Sequence, residues 1–238
     1  MNLKVIVNGA KGKMGEPACL AIEACPTLDL VAALGREDSL KDAIMHTKAD
    51  IVVDLTRADC AYQNALTIIE SGAHPVIGTS GFSATDIANL SKRCEEKQLG
   101  GIIAPNFSIG AVLMMHFSKI AARFMHDVEI IETHHPQKLD APSQTALKTA
   151  EMINAALSHT TSRGLSAGSN ADIPIHSLRL PGFLANQQVI FGQTGETLTI
   201  THNSIDRVSF MPGILLACDR APKLKHLVYG LEHVLQLG

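Results

Sequence analysis

The chain has 238 residues, of which 46% are hydrophobic and 18% charged, and its formal net charge is −3. This length accommodates one large domain or two small ones, because domains cluster at roughly 100–150 residues. The weakly acidic balance argues against a nucleic-acid binder, which must neutralise many phosphates. No apolar run approaches the ~20 residues of a membrane-spanning helix. We therefore expect neither a nucleic-acid nor a membrane partner.

The N-terminus and the cysteines bear on the cellular compartment. The opening residues run directly into glycines and lack the pattern of a signal peptide. The cysteines are scattered, without metal or redox spacing, at positions 19, 25, 60, 94 and 218. Such thiols are typical of a reducing cytosol, so we expect a cytoplasmic protein.

The first hundred residues predict a parallel sheet. Short apolar runs predict strands over 3–7, 29–34, 51–55, 75–77 and 101–104. Apolar residues at three- and four-residue spacing predict helices over 13–24, 58–71 and 84–97. Strands that are apolar on both faces and are joined by helices imply a parallel, Rossmann-like sheet with right-handed crossovers.

After residue 107 the pattern changes. We predict a helix over 109–125, a strand over 127–134, a helix over 145–157 and a polar loop over 158–174. Strands then follow without helices between them, over 176–180, 188–191 and 197–202. A helical pattern returns near Pro212. Consecutive strands indicate a second, α+β domain with an open mixed or antiparallel sheet.

Three glycines follow the first predicted strand: Gly9, Gly12 and Gly15. In a dinucleotide-binding loop the first glycine permits a tight turn, the second lets the backbone approach the pyrophosphate, and the third lets the helix pack against the sheet. The helix N-terminus then offers free N–H groups to the phosphates. The spacing differs from the strict G-x-G-x-x-G, so an ordinary tight turn is the alternative. Pro17 predicts a kink or a late start of this helix.

The end of the second strand distinguishes NAD from NADP. A carboxylate at this position binds the ribose hydroxyls of NAD, whereas an arginine binds the 2′-phosphate of NADP. Arg36 is the first charged residue after the strand, and Glu37 and Asp38 follow it. This order favours NADP, with a solvated charged turn as the alternative.

Residues 132–146 hold the densest group of reactive side chains, in the order Glu-Thr-His-His-Pro-Gln-Lys-Leu-Asp-Ala-Pro-Ser-Gln-Thr-Ala. His134 and His135 are adjacent on a strand and point to opposite faces, so they cannot chelate one metal together, and we expect no metal. His134 lies four residues before Lys138, a cation that would lower the pKa of the histidine and suit it to acid–base catalysis. The helix N-terminus at 143–145 is a site for a carboxylate. A surface loop with capping residues is the alternative.

These motifs resemble the 4-hydroxy-tetrahydrodipicolinate reductase (dihydrodipicolinate reductase) family. The run E-x-H-H-x-x-K-x-D-A-P-S-x-T-A at 132–146 is highly specific. Other matching segments lie in family order at 9–15, 54–57, 78–82, 104–110, 175–182 and 209–213. The resemblance implies NAD(P)H-dependent reduction of 4-hydroxy-tetrahydrodipicolinate to tetrahydrodipicolinate, in the diaminopimelate route to lysine.

The resemblance also implies roles for individual residues. His134 matches the proton donor, Lys138 the second catalytic residue and His135 a substrate-binding histidine. The residues that would hold a substrate carboxylate are Ser143, Gln144 and Thr145. The residues that would line the cofactor are Gly9, Ala10, Lys11, Gly12, Lys13, Met14, Gly78, Thr79, Ser80, Ala104, Pro105, Asn106 and Phe107, to which the strand-end argument adds Arg36.

By the same resemblance, residues 1–107 form a dinucleotide-binding domain that residues 210–238 complete. Residues 108–209 form a substrate-binding domain whose sheets assemble a homotetramer. We expect NADPH as the preferred cofactor, NADH as a possible one, and a small dicarboxylate substrate. Two other interpretations stay open: a non-catalytic NADP-binding regulator on this fold, and a related imine or amino-acid reductase with a different substrate.

Two positions depart from the family pattern. Gln144 stands where the family usually has glycine, so its side chain would either crowd the carboxylate pocket or add an amide donor. Gly35 stands where many members have an acidic residue, which leaves Arg36 to favour NADP.

Overall fold

The structure of the protein is a computed structural model that describes residues 2–79, 81–161 and 173–237. The chain divides into two compact units. The first unit comprises Met1–Ile109 and Phe210–Gly238, and the second unit comprises Gly110–Ser209.

Alternating strands and helices build the first unit. The strands are β1 (Leu3–Asn8), β2 (Leu28–Leu34), β3 (Ile51–Asp54), β4 (His74–Ile77) and β5 (Gly101–Ile103). The helices between them are α1 (Gly15–Glu23), α2 (Leu40–Thr47), α3 (Ala58–Glu70) and α4 (Ala84–Glu96). Every residue of β3 and β5 is buried, as expected for strands that helices cover on both faces.

The second unit is built on a four-stranded mixed sheet. Its elements are α5 (Ile109–Ala121), β6 (Asp127–His134), α6 (Gln144–Thr161), β7 (Ile175–Arg179), β8 (Ala185–Gln193) and β9 (Glu196–Ser204). The strand order is β7-β6-β8-β9, in which β6 runs parallel to β7 and antiparallel to β8. Ile130 and Val189 pair across the sheet and, with Phe191, are fully buried on one face.

The chain then returns to the first unit through α7 (Met211–Arg220) and β10 (Leu227–Tyr229). β10 pairs in parallel with β5 and completes a six-stranded parallel sheet in the order β10-β5-β4-β3-β1-β2. Ile6 of β1, Val52 of β3 and Ile77 of β4 form its core with Ile68 of α3 and Leu90 of α4. The predicted fold class, a Rossmann-like parallel sheet followed by an α+β unit with a mixed sheet, is confirmed.

Two helices of the first unit differ in how well the sequence predicts them. α1 begins at Gly15, and Pro17 lies in its first turn, where a missing N–H breaks no helical hydrogen bond. The predicted late start is therefore confirmed. α2 was not predicted, although Ser39 caps it by accepting a hydrogen bond from the N–H of Asp42 at 3.3 Å. This helix is only eight residues long, so its apolar periodicity is weak.

Helix ends in the second unit also depart from prediction. α5 ends at Ala121 and not at residue 125, because the N–H groups of Arg123 and Phe124 donate to carbonyls three residues back and close the helix. α6 continues to Thr161, so the prediction of a loop from residue 158 was wrong at its start. Residues 162–172 of that predicted loop lie outside the described residues.

Candidate nucleotide-binding and active sites

The glycine loop joins β1 to α1 at the carboxyl edge of the first sheet. Gly9 adopts φ +83°, and its N–H and that of Ala10 donate to the carbonyl of Leu34 at 3.0 and 2.9 Å. A Cβ on Gly15 would overlap the carbonyl oxygen of Gly9, and a Cβ on Gly9 would lie 2.8 Å from the carbonyl oxygen of Leu55. Backbone packing therefore requires glycine at both positions. A loop this tight, at the N-terminus of a nine-residue helix, fits the pyrophosphate of a dinucleotide.

Two cationic side chains, one from the glycine loop and one from the turn after β2, lie near the glycine at the end of this strand. The N–H of Gly35 donates to Oδ2 of Asp38 at 2.7 Å, which engages that carboxylate within the turn. A Cβ on Gly35 would lie 3.6 Å from Cδ and Cε of Lys11, so the lysine side chain lies next to the glycine. Arg36 is exposed to solvent. Lys11 and Arg36 thus offer positive charge at the end of the second strand.

Further predicted cofactor residues follow β4 and β5. The hydroxyl of Thr79 donates to the carbonyl of Thr56 at 3.2 Å, and a Cβ on Gly78 would lie 2.8 Å from the ring of Phe107. These contacts bring the ends of β3, β4 and β5 together at the edge that carries the glycine loop. Phe107 is buried, so its ring packs inside the unit. Ser80 lies outside the described residues.

The remaining predicted cofactor residues lie on two loops that begin at this edge. The loop before α1 contains Gly12, Lys13 and Met14, of which the last is the N-cap residue of the helix. The loop after β5 contains Ala104, Pro105 and Asn106. The Asn106 side chain accepts a hydrogen bond from the N–H of Ser108 at 2.8 Å, which fixes the turn after β5.

Asp54, at the end of β3, has a part in this edge that the sequence did not indicate. It is fully buried, and its Oδ1 accepts hydrogen bonds from the N–H of Thr56 at 2.9 Å and from the Thr56 hydroxyl at 2.5 Å. Asn64 of α3 donates to the same hydroxyl at 3.0 Å. Burial raises the pKa of Asp54, and the hydrogen bonds from Thr56 and Asn64 oppose that shift. The carboxyl group thereby holds the start of the loop between β3 and α3 in place.

In the second unit, a buried carboxylate lies at the end of β6. Glu132 is fully buried and lies on the same face of the strand as His134. Its Oε2 lies 2.5 Å from Nδ1 of His134 and accepts a hydrogen bond from Nη1 of Arg179 at 2.9 Å. Its Oε1 accepts a second hydrogen bond from Nη2 of Arg179 at 2.8 Å. Arg179, which pairs with His134 across β6 and β7, therefore forms a bidentate ion pair with Glu132.

The charges around His134 act on its protonation. Burial lowers the pKa of His134, and the cations Lys138 and Arg179 lower it further, whereas Glu132 raises it. For Glu132, burial alone would raise the pKa, but hydrogen bonds led by those from Arg179 outweigh it and the pKa lies below its ordinary value. The site therefore holds an ionised carboxylate beside a histidine that gives up its proton readily.

Lys138 lies on the loop after β6. Its Nζ donates to both carboxylate oxygens of Asp140, at 2.8 and 2.9 Å, and this pairing lowers the pKa of Asp140. Nη2 of Arg179 donates to the backbone carbonyl of Asp140 at 2.8 Å. Arg179 thus connects the loop that carries Lys138 to the carboxylate beside His134, and the structure brings the two predicted catalytic residues together.

The predicted carboxylate site lies at the start of α6. The hydroxyl oxygen of Ser143 accepts the N–H of Ala146 at 3.2 Å, and the N–H of Ser143 donates to Oε1 of Glu132 at 3.3 Å. Ser143 is buried, whereas Gln144 is exposed and Thr145 half-buried. Gln144 and Thr145 therefore form the more accessible part of the helix start. Nδ1 of His135 hydrogen-bonds Oε1 of Gln137 at 3.1 Å.

The described residues contain neither a candidate metal site nor a membrane-spanning helix. Within the described ranges, no group of three or more histidine, cysteine, aspartate and glutamate side chains could hold a metal ion. Of the helices in those ranges, none is long and apolar enough to cross a membrane.

Comparison with known proteins identifies the relatives of the chain. A family profile described as dihydrodipicolinate reductase, N-terminus, matches residues 3–107, and one described as dihydrodipicolinate reductase, C-terminus, matches residues 110–235. The chain belongs to the dihydrodipicolinate reductase family. It is 60% identical to a 4-hydroxy-tetrahydrodipicolinate reductase of Legionella pneumophila (strain Corby), over 99% of this chain and all of the relative. It is 50% identical, over the same shares, to the reductase of that name from Coxiella burnetii.

A solved member of the dihydrodipicolinate reductase family has the same fold. The dipicolinate-bound enzyme from Paenisporosarcina sp. TG-14 is 37% identical and superposes with a TM-score of 0.85, over 98% of this chain and 99% of that one. The chain is therefore an oxidoreductase, and the resemblance drawn from residues 132–146 is confirmed.

Two residues of the dihydrodipicolinate reductase motifs have a place in the site that sequence reasoning did not assign. Glu132 and Arg179 both lie in matching segments, but neither was given a role. They are 47 positions apart, and only the parallel pairing of β6 with β7 brings them into contact. A charged residue two positions before a candidate catalytic histidine, on the same strand face, was the available signal.

Proposed function

We propose that this member of the dihydrodipicolinate reductase family reduces 4-hydroxy-tetrahydrodipicolinate to tetrahydrodipicolinate, in the diaminopimelate route to lysine. NADPH is its preferred cofactor and NADH a possible one. The observation that carries the proposal is His134, a half-buried histidine of lowered pKa beside Lys138. It is supported by 60% identity to a 4-hydroxy-tetrahydrodipicolinate reductase.

In the proposed mechanism His134 is the general acid. Loss of the 4-hydroxyl together with a proton from carbon 3, as water, gives the conjugated imine that is reduced. A bound reduced nicotinamide would supply a hydride to carbon 4 of that imine, and His134 delivers a proton to carbon 3, where negative charge develops along the conjugated system. The Lys138 ammonium neutralises a substrate carboxylate and the developing charge. General acid catalysis of this kind contributes about 10²–10⁴-fold to the rate.

The cofactor preference rests on the turn after β2. Lys11 lies beside Gly35, Arg36 is exposed, and the Asp38 carboxylate accepts the N–H of Gly35. A 2′-phosphate would gain charge-assisted hydrogen bonds from the two cations. The Asp38 carboxylate is less available to the ribose diol of NADH, because it already accepts a hydrogen bond from the N–H of Gly35. Gly9 to Met14, Gly78 to Ser80 and Ala104 to Phe107 complete the proposed cofactor site.

The substrate is a small dicarboxylate, and the start of α6 would hold one carboxylate. Backbone N–H groups at a helix N-terminus and the Thr145 hydroxyl suit an anion there. His135 would contact the substrate from the loop after β6. Ser143 contributes chiefly by capping α6, and Gln144 lies at the exposed rim.

The assembly we propose is a homotetramer built through the sheets of the second unit. β9 is nine residues long and is an edge strand of that sheet, and its residues Thr197, Thr199 and Thr201 are exposed. A long exposed edge invites pairing unless another chain covers it, and symmetric copies would cover it. Light scattering should then give about four times the chain mass of 25.4 kDa. The compartment we propose is the cytoplasm, where the free cysteines would stay reduced.

Steady-state kinetics with the purified protein test the activity. Freshly generated 4-hydroxy-tetrahydrodipicolinate should be reduced with loss of NADPH absorbance, and more slowly at equal concentration with NADH. Binding of NADPH without turnover would favour a regulator. Turnover of another imine or amino acid at a higher kcat/KM would favour a different reductase.

A further inference from the structure

The carboxylate of Glu132 contacts three different parts of the second unit. It lies 2.5 Å from Nδ1 of His134, forms the two hydrogen bonds to Arg179, and accepts the N–H of Ser143 at 3.3 Å. The side chain has no exposed surface. A buried carboxylate is stable only when it is paired and hydrogen-bonded, and Arg179 supplies that pairing.

The hydrogen-bond chemistry of the pair decides which nitrogen of His134 carries a proton. An ionised carboxylate can only accept hydrogen bonds. The contact between Glu132 and His134 therefore requires a proton on Nδ1 in the neutral histidine. Nε2 is then the nitrogen that gains and loses the catalytic proton.

We propose that Glu132 is a positioning residue for the reduction, with Arg179 as its counter-ion: it fixes the Nδ1–H tautomer of His134 and so makes Nε2 the proton-delivering atom. This inference rests on the proposed function only for its catalytic consequence. The tautomer and the protonation of His134 are properties of the protein without substrate.

Arg179 limits how far Glu132 raises the pKa of His134. Oε2 is shared between Nη1 of Arg179 and Nδ1 of His134, so the arginine withdraws charge from the oxygen that faces the histidine. An unpaired carboxylate would hold the His134 proton more tightly and make the histidine a weaker acid. The bidentate pair keeps the orienting hydrogen bond while the pKa of His134 stays below its ordinary value.

The same carboxylate also joins the proton donor to the proposed substrate site. The N–H of Ser143, directly before α6, donates to Oε1 of Glu132. The direction of His134 and the start of the helix that would hold the substrate carboxylate are therefore fixed by one side chain. A carboxylate that served only the fold would need the arginine and the serine but not the histidine.

The test is Glu132→Gln, which keeps the shape of the side chain and removes its charge. The charged groups near His134 are then Arg179, Lys138 and Asp140. Without the carboxylate the imidazolium loses its stabilising partner, so the pKa of His134 should fall by about one unit or more. NMR titration of the histidine ring measures this without substrate. In kinetics, the decline of kcat/KM at high pH should begin at a correspondingly lower pH. We expect kcat to fall about 10–100-fold, the loss typical when a residue that orients a metal-bound histidine is removed.

The chain offers a matched control. Glu129 also contacts a histidine from β6, with Oε2 at 2.8 Å from Nε2 of His176, but that pair is more than half exposed. Glu129→Gln should leave the pKa of His134 and the pH profile unchanged. A role of Glu132 in stability alone would lower the melting temperature without moving either readout.

A second variant covers the case in which Glu132→Gln does not fold because Arg179 is left without its partner. The double substitution Glu132→Met, Arg179→Met replaces the ion pair by apolar side chains of similar length, which proteins often tolerate. The ¹⁵N shifts of neutral His134 should then show a mixture of tautomers, against the Nδ1–H form in the wild type. An unchanged tautomer in the double variant, or an unchanged pKa in Glu132→Gln, would overturn the proposal. If the wild type shows the Nδ1–H form but does not reduce the substrate, the proposed function fails and the positioning of His134 stands.

Discussion

The two units present their candidate ligand groups in different ways. In the first unit, the groups that would meet the dinucleotide are mostly backbone atoms at strand ends, and Gly9 and Gly15 leave room by lacking a side chain. In the second unit the candidate groups are side chains, and they are already bonded to one another. Glu132 holds Arg179 and contacts His134, and Lys138 holds Asp140.

This difference implies two kinds of sensitivity. A backbone cradle is damaged by added atoms, since neighbouring carbonyls cannot move without shifting the strands that carry them. A network of paired charges is damaged by the loss of one member, because its partner is left without compensation. Substitutions in the first unit should therefore act on cofactor binding and stability. Substitutions in the second should act on rate and pH dependence.

Removal of the proposed proton donor should give the clearest contrast between an effect on turnover and an effect on cofactor binding. His134→Gln should lower turnover by about 10²-fold or more, because no general acid then serves carbon 3. NADPH affinity, measured by fluorescence titration, should stay within about twofold. The exposed His176, substituted in the same way, is the control and should retain full turnover. Turnover within threefold of the wild type in the His134 variant would remove it as the proton donor.

An added methyl group in the glycine loop should instead lower stability and weaken cofactor binding. The Cβ of Gly15→Ala would overlap the carbonyl of Gly9, so the loop and α1 must separate. Overpacking of this kind costs about 1–3 kcal/mol. Urea unfolding should show that loss, and NADPH should bind more weakly.

Gly192→Ala is the matched substitution in the second unit, since nothing lies within 4 Å of its Cβ position. It should leave unfolding and NADPH binding unchanged. Equal effects of the two alanines on NADPH affinity would mean that the glycine loop is not the cradle of the cofactor.

The same contrast explains what the sequence could predict. The glycine loop and its strand are local, so spacing alone located them, and the period of apolar residues indicated the parallel sheet. α2 was missed because a helix of eight residues gives a weak pattern, although Ser39 and Asp42 provide a capping signal. The position of His134 and Lys138 was also local. Their spacing suggested acid–base chemistry, and the family resemblance supplied their specific roles, which remain proposals.

Interactions between distant residues could not be predicted in this way. Arg179 and Glu132 meet because β7 runs parallel to β6 in a register that places Arg179 beside His134. Neither residue has a pattern around it that specifies this pairing. Asp54 is similar, because its burial and its bonds to Thr56 depend on the closure of the loop after β3. Charge networks of this kind need the sheet register, which apolar periodicity does not supply.

The preference for NADPH over NADH should depend on one side chain of the first unit, where most of the proposed cofactor contacts are made by the backbone. Arg36→Ala should weaken NADPH binding about tenfold, the value of one charge-assisted contact to the 2′-phosphate, and leave NADH binding within about twofold. Arg93→Ala, on α4 and paired with Glu96, is the control for loss of a surface charge. An equal loss for both cofactors would show that Arg36 contacts a group common to them.

The smallest effect is expected at Gln144, where the family resemblance would place a glycine at the proposed carboxylate site. The backbone N–H exists for either residue, so glycine offers only closer approach and backbone freedom. Glutamine brings two opposing effects. Its amide would add a hydrogen bond worth about 0.5–1.5 kcal/mol, and its bulk would displace the substrate, where an error near 1 Å costs about 10²-fold in rate.

The structure favours tolerance at this position. Gln144 is exposed, whereas its neighbour Ser143 is buried and caps α6. A long side chain at the solvent-facing first residue of a helix can swing outward without disturbing the cap. We therefore expect Gln144→Gly to change kcat/KM for 4-hydroxy-tetrahydrodipicolinate by less than about tenfold, or ~1.4 kcal/mol. A hundredfold gain on restoring glycine would show instead that glutamine blocks the site. Because the charge network around His134 is untouched by this change, such a gain would point to a different natural substrate and not to a defect in proton delivery.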